Sequence, residues 1–256
     1  MGFLSDVVAE VRRGLEREPL DEPALIARAL ALPPARDLEG ALRSGAPAVV
    51  AELKRASPSA GEIADRHAGG QARAYEAAGA AAVSVLTEPR HFGGALADLR
   101  AVRLAVSLPI LRKDFVVHPS QLIQSRAEGA DAVLLFAAAV SELELEALVE
   151  AAADLGLGAL VEIHSEEDLR KALNAGAGVV GVNSRDLESL EVDGERALRL
   201  LRRVPPDRTA VLESGISTRE QVVEAAEAGA SAVLVGEALM RAEDPGAKLR
   251  ELLGEE

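Results

Sequence analysis

Three observations predict an α/β fold closed as a (βα)8 TIM barrel with an N-terminal helical extension. From Ala48 onward, short apolar runs alternate with amphipathic helical stretches. The runs are Ala48–Leu53, Ala82–Leu86, Pro109–Leu111, Ala132–Phe136, Ala159–Ile163, Val179–Val182, Ala210–Leu212 and Ala232–Val235, eight in all. They are nearly continuous in apolar character, as parallel strands covered on both faces should be. A Gly-centred triplet also ends a helix and enters a strand four times, at Gly79, Gly129, Gly176 and Gly229. The repeat is about 50 residues, which spans two βα units, so four repeats make eight strands. An open doubly wound sheet also fits the runs, but it does not ask for an unbroken fourfold period.

Residues 1–256 are read as one domain, of which residues 1–46 form the extension. Phe3, Val7, Val8, Val11 and Leu15 recur at helical spacing. A second helical piece follows Asp21-Glu22-Pro23, where Pro suits a first turn, and Pro33-Pro34 ends it. Asp37 can cap a third piece through Leu42. Helices are expected at Ser141–Leu155, Ser165–Leu173 and Thr218–Ala228, with Ser217 a candidate cap for the last. At the four repeated glycines the left-handed conformation after a helix is the expected one.

The chain has 256 residues, of which 48% are hydrophobic, and a net charge of −14. That balance argues against general nucleic-acid binding and against an anionic membrane surface. With no cysteine, thiol nucleophiles, disulfides and cysteine-ligated metals are excluded. No apolar run reaches the length of a spanning helix and no signal peptide is legible, so a soluble cytoplasmic protein is expected. No metal-ligand spacing, Walker loop or nucleophile elbow is present. Gly176-Ala177-Gly178-Val179-Val180-Gly181 fits a dinucleotide fingerprint by letters, but it follows a helix and opens a strand, so it reads as a turn. His164 reads as a loop residue and Glu142-Leu143-Glu144-Leu145-Glu146 as a solvated helix face.

Barrel chemistry sits where strands end. The only lysines are Lys54, Lys113, Lys171 and Lys248, and the first two fall at strand exits. An ammonium can give up a proton where a guanidinium cannot. Glu52 and Lys54 are two apart and share a face of the first strand. They can form either a functional acid–amine pair or an ion pair that only closes the barrel. Ser57 and Pro58 begin a polar loop. Phe92 and Phe115, two of five aromatics, follow successive strands and can shape a slot for a flat ligand or simply pack their loops. Glu162 ends an apolar run, where burial would raise its pKa toward that of a general base; pairing with a lysine is the compatible alternative. Asn183 can orient a hydroxyl, and Arg185 can bind an anion or clamp a loop acid. Glu213-Ser214-Gly215 and Gly236-Glu237 follow the last two strands, where barrels commonly bind phosphate on backbone N–H groups.

Together these segments resemble the indole-3-glycerol-phosphate synthase family. The matching stretches are Ala51-Glu52-Leu53-Lys54-Arg55-Ala56-Ser57-Pro58-Ser59, Leu111-Arg112-Lys113-Asp114-Phe115, Val161-Glu162-Ile163, Gly181-Val182-Asn183-Ser184-Arg185-Asp186-Leu187, Glu213-Ser214-Gly215-Ile216 and Val235-Gly236-Glu237-Ala238-Leu239-Met240. The resemblance implies a cofactor-free carboxy-lyase of tryptophan biosynthesis. Its substrate would be 1-(2-carboxyphenylamino)-1-deoxyribulose 5-phosphate, which undergoes ring closure, decarboxylation and dehydration. It also implies residue roles. Lys113 would be the general acid, and Glu162 a base or a stabiliser of the iminium. Lys54 would anchor anions and serve the dehydration. Glu52 and Asn183 would orient the lysines and substrate hydroxyls, and burial would lower the lysine pKa. Ser214 and Glu213 would position the substrate, and Gly215, Gly236 and Glu237 would meet phosphate. Phe92, Phe115, Pro58, Leu134 and Phe3 would enclose the anthranilate ring, with Ser57 and Arg185 near its carboxylate or the entrance. Ala95 stands where many members carry a hydroxyl residue. Other readings are a different phosphate-binding barrel, of the phosphoribosyl isomerase or tryptophan synthase lyase type, and a non-catalytic barrel scaffold.

Overall fold

The computed structural model describes residues 2–44, 47–186 and 189–255. Leu187, the last residue of one matching stretch, and residues 45–46, at the expected end of the extension, lie outside them. Eight parallel strands form a closed barrel: β1 (Ala48–Leu53), β2 (Ala82–Leu86), β3 (Ile110–Lys113), β4 (Ala132–Phe136), β5 (Gly158–Ile163), β6 (Val179–Asn183), β7 (Thr209–Glu213) and β8 (Ala232–Val235). Each pairs with its neighbours in chain order, and β1 closes the ring on β8 through Ala48 with Ala232 and Val50 with Leu234. Burial on both faces explains the unbroken apolar runs: Val49, Val50, Val83, Val133 and Val233 are inaccessible.

Three strands run further than the apolar pattern predicts. Leu86 pairs with Lys113, and Asn183 with Glu213. The ladder therefore continues through polar residues that an apolar criterion stops before, and Lys113, Asn183 and Glu213 are the last residues of their strands. The alternation of a strand then decides direction. Arg112 turns outward to Asp114, Gln124 and Ser125, while Lys113 points into the barrel.

The four repeated glycines have φ of 91°, 93°, 78° and 105°, the left-handed region that only Gly enters without strain. At Gly129 a Cβ would also lie 2.9 Å from Cγ of Arg103. Gly129→Ala is expected to destabilise the fold by about 1–2 kcal/mol, read as a lower midpoint in urea. The cap of the helix after β7 (Arg219–Glu227) is Thr218, whose hydroxyl accepts from Gln221 N, and not the expected Ser217.

The extension comprises α1 (Phe3–Arg17), α2 (Glu22–Leu30) and α3 (Leu38–Arg43). Asp21 and Asp37 cap α2 and α3 as expected. Leu38 and Leu42 are buried, and α3 packs on β1, β2 and β7. It meets the N-terminal end of the barrel, since a Cβ at Gly158 would touch Leu38 and one at Gly178 would touch Glu39. Arg28 pairs with the buried Glu128 at 2.9 Å, and Asp131 accepts Arg36 N. The acidic run after Ser141 is not merely a solvated face. Arg12 of α1 reaches Glu144 at 2.8 Å, and Glu142 accepts from Arg170 and Asn174. The run thus ties α1 to the barrel wall.

Candidate active site

At the C-terminal end of the strands lies a cavity of about 380 Å³, within the range of small-ligand sites. Every residue named above for catalysis, ring binding or phosphate binding lines it: Glu52, Lys54, Ser57, Pro58, Phe92, Lys113, Phe115, Leu134, Glu162, Asn183, Arg185, Glu213, Ser214, Gly215, Gly236 and Glu237. Phe3 lines it too, from α1.

Lys113 is the hub. Its Nζ lies 3.3 Å from Glu162 Oε2 and 3.2 Å from Glu213 Oε2. Both carboxylates are buried. Space for Glu213 is made by a missing side chain, because a Cβ at Gly181 would lie 2.1 Å from its Oε1. Glu162 Oε1 accepts from Asn183 Nδ2 at 2.8 Å and meets His164 Nε2 at 2.9 Å. Asn183 thus holds Glu162, whose other oxygen meets Lys113, and its Oδ1 accepts from Arg185 N. His164 is not a bystander of the loop. Its ring stands behind Glu162 with little exposure.

The electrostatics reverse two expectations. Burial alone would raise Glu162, but Lys113, His164 and Asn183 outweigh it and hold the carboxyl down at about 2. The carboxyl pushed toward neutrality is Glu213. Burial raises it, the charges of Glu162 and Glu52 add to this, and Lys113 offsets only part, leaving it at about 7. Burial opposes the charge on Lys113, yet Glu213, Glu162 and Glu52 prevail and raise its pKa. The lysine thus stays protonated.

A raised carboxyl has a stability consequence. Unfolded Glu213 ionises near 4.5 and the folded group near 7. The native state therefore holds a proton that the unfolded chain has lost, and stability falls as pH rises through that window. Glu213→Gln removes this cost. It is expected to raise Tm by about 2–4 °C at pH 8, with the gain vanishing toward pH 4.5. Melting curves across that range check it, and an equal shift at both ends would refute the linkage.

A second pair lies beside the hub. Lys54 Nζ is 3.2 Å from Glu52 Oε1, and Ser84 Oγ donates to Glu52 Oε2. A Cβ at Gly236 would sit 2.5 Å from Glu52 Oε1, so that glycine admits the acid. Ser214 and Gly215 have consecutive positive φ, 66° and 76°. Ser184 Oγ lies within hydrogen-bond distance of the carbonyls of Glu213 and Ser214 and grips this turn. Arg185 donates to Leu190 O and clamps its own loop. The loop after β1 contains a short antiparallel pair, Ala56–Ser57 with Gly61–Glu62, and Ser57 Oγ accepts from Ala60 N.

The opposite wall is aromatic. Phe115 stacks on Phe136 with centroids 5.2 Å apart, and Phe3 and Phe92 each stand 6.4 Å from Phe115. Glu88 fixes the Phe92 loop by accepting the backbone N–H groups of Arg90, His91 and Phe92. Asp114 accepts Phe115 N and Arg112. Phe136, Glu88, Leu190 and His164 were missed by the sequence reading. Phe136 ends a strand as Lys113 does, so strand position could have found it. Glu88 and His164 stand just past strand ends, and His164 is two residues from Glu162, the spacing that places Glu52 and Lys54 on one face. Leu190 carries no local signal.

A family model described as indole-3-glycerol phosphate synthase matches residues 4–252. An indole-3-glycerol phosphate synthase from a Nocardioides species is 48% identical over 259 residues, covering 100% of both chains. One from Mycobacterium avium is 45% identical over 254 residues, 96% of this chain and 93% of the relative. Among solved structures, 3-hexulose-6-phosphate synthase superposes with a TM-score of 0.66 at 19% identity. A mutant tryptophan synthase alpha-subunit from Pyrococcus furiosus does so at 0.64 and 20%. Each alignment covers 81% of this chain and 98% of the other. At such identities the likeness concerns the fold alone. The match over nearly the whole chain and the identities of the two relatives decide membership: the chain belongs to the indole-3-glycerol phosphate synthase family.

Proposed function

We propose that the protein converts 1-(2-carboxyphenylamino)-1-deoxyribulose 5-phosphate to indole-3-glycerol phosphate, carbon dioxide and water, a step of tryptophan biosynthesis. The observation that carries the reading in detail is Lys113 held between two buried carboxylates in a cavity with an aromatic wall. In this proposal the anthranilate ring lies among Phe3, Phe92, Phe115, Leu134 and Pro58. Lys54 and the backbone of Gly215, Gly236 and Glu237 receive the phosphate. Ser214 and Glu213 position the substrate, and Ser57 and Arg185 serve the entrance.

The ring carbon attacks the ribulose carbonyl while Lys113 passes a proton to the carbonyl oxygen. A donor must arrive protonated, and the two acids keep it so. The new carbon–carbon bond leaves an iminium, which Glu162 stabilises as a fixed nearby anion. The iminium then takes the electron pair of the bond to the departing carboxylate, and CO2 leaves. Loss of CO2 restores the benzene ring. The hydroxyl then leaves as water with a proton from an ammonium, the nitrogen lone pair drives it out, and the adjacent ring carbon gives its proton to a carboxylate of the site, which completes the indole. Lys54, paired with Glu52, is the second donor available for that step.

Purified protein mixed with this substrate should develop indole fluorescence with release of CO2. A folded protein that binds the substrate and yields no fluorescence would favour the scaffold reading. The proposal includes a cytoplasmic location and no nucleic-acid partner. No helix among the described residues is long and apolar enough to cross a membrane.

A further inference from the structure

Glu162 is a buried anion with three partners, of which Lys113 and Asn183 belong to the cavity wall. The third, His164, does not line the cavity and plays no part in the steps above. An ionised carboxylate only accepts hydrogen bonds, so the 2.9 Å contact requires a hydrogen on Nε2 of His164. Nδ1 is buried with no hydrogen-bond partner among the described residues. A bare Nδ1 costs less there than an unpaired N–H, so the neutral Nε2–H tautomer fits the surroundings of the ring. The main chain fixes the residue on both sides: His164 N donates to Asp168 Oδ2, and Arg196 donates to His164 O. The backbone that carries the imidazole is therefore anchored on both sides, and the ring's own hold is its contact with Glu162.

We infer that His164 is a positioning residue for this reaction: its Nε2–H pins Glu162 Oε1, so that Oε2 stays on Lys113 and the anion keeps its place as the iminium forms. The inference rests on the reaction proposed above. Without the histidine, Glu162 would keep Asn183 on one oxygen and Lys113 on the other, and could rotate with the lysine as its ammonium follows the substrate. A displaced anion stabilises the iminium less well, while binding of the phosphate and the ring, made elsewhere in the cavity, is untouched. The loss should therefore fall on kcat rather than on KM.

The charged groups facing the imidazole are Glu162 at the end of β5, Glu213 from β7 and Asp168 from the following helix. Lys113 of β3 stands across Glu162, and Arg196 is held at the His164 carbonyl. Burial disfavours the imidazolium, but the three acids prevail and raise its pKa.

His164→Leu should lower kcat by about tenfold to hundredfold and leave KM within about threefold. His164→Gln, whose amide nitrogen reaches about as far as Nε2, should restore most of the loss. A wild-type kcat in His164→Leu, or a loss confined to KM, would overturn the inference. So would failure of His164→Gln to recover activity. If the Leu variant does not fold, nitrogen NMR of the intact protein decides, with the signal assigned through His164→Gln. His164 should show the Nε2–H tautomer and titrate above an ordinary histidine, and its pKa should drop in Glu162→Gln. A histidine that titrates identically with and without the Glu162 charge would refute the contact in solution. If the wild-type protein forms no indole product, the parent reaction fails, while the NMR result still reports on the contact.

Discussion

Replacing Lys113 with Ala is expected to lower turnover by about three to four decades while the barrel stays folded. The activity loss follows from geometry, because Lys113 is the ammonium at the centre of the cluster and Lys54 is already engaged with Glu52. Survival of the fold is less obvious. Removing the cation leaves Glu162 and Glu213 facing each other without a counter-charge. A buried pair broken in this way typically costs about 3–5 kcal/mol. Here Glu213 already sits at about 7 and would take up a proton, so one negative charge disappears. The variant should melt close to wild type at pH 6 and progressively below it as pH rises, because the proton Glu213 holds must then be given up. Steady-state rates and melting curves at several pH values check both halves. Wild-type rates would remove Lys113 from the mechanism.

Glu162→Gln should lose about 10²-fold in kcat with little change in melting temperature. The amide keeps the shape of the carboxylate, and its oxygen can still accept from Asn183 and His164. It loses the charge that would face the iminium and presents an N–H toward Lys113. Lys113 remains protonated because Glu213 still pairs with it. With one neighbouring anion gone, the Glu213 carboxyl should ionise more readily than in the wild type. An unchanged rate would make Glu162 a structural residue.

The strands were legible because burial on both faces leaves them almost purely apolar, and the turns because a left-handed residue after a helix demands glycine. Strand ends were not, since pairing continues through Lys113, Asn183 and Glu213 where hydropathy stops. The direction of the shift at Glu162 was also beyond reach. A residue after an apolar run looks desolvated, and only the closed barrel reveals that Lys113 and Asn183, each many positions away in the chain, meet it. His164 was read as a loop residue because it lies just past the apolar run, although its spacing of two from Glu162 is the one that put Glu52 and Lys54 on a common face. Most residues gathered in the cavity were named from strand exits and the loops that follow them, and the family resemblance added Leu134 and Phe3. The specific role of each in the reaction came from the resemblance.

One ring of the aromatic wall does not come from the barrel. Phe3 stands on α1 and meets Phe115 edge to face, while Arg12 fastens that helix to Glu144. Anyone grafting this chemistry onto a generic eight-stranded scaffold would transplant the proton donor and its acids yet leave the hydrophobic side of the chamber without the ring that closes it from the extension. The leading helix is therefore a part to be copied along with the strands, and its docking residues are where a redesign could widen the chamber for bulkier rings without touching the reacting groups.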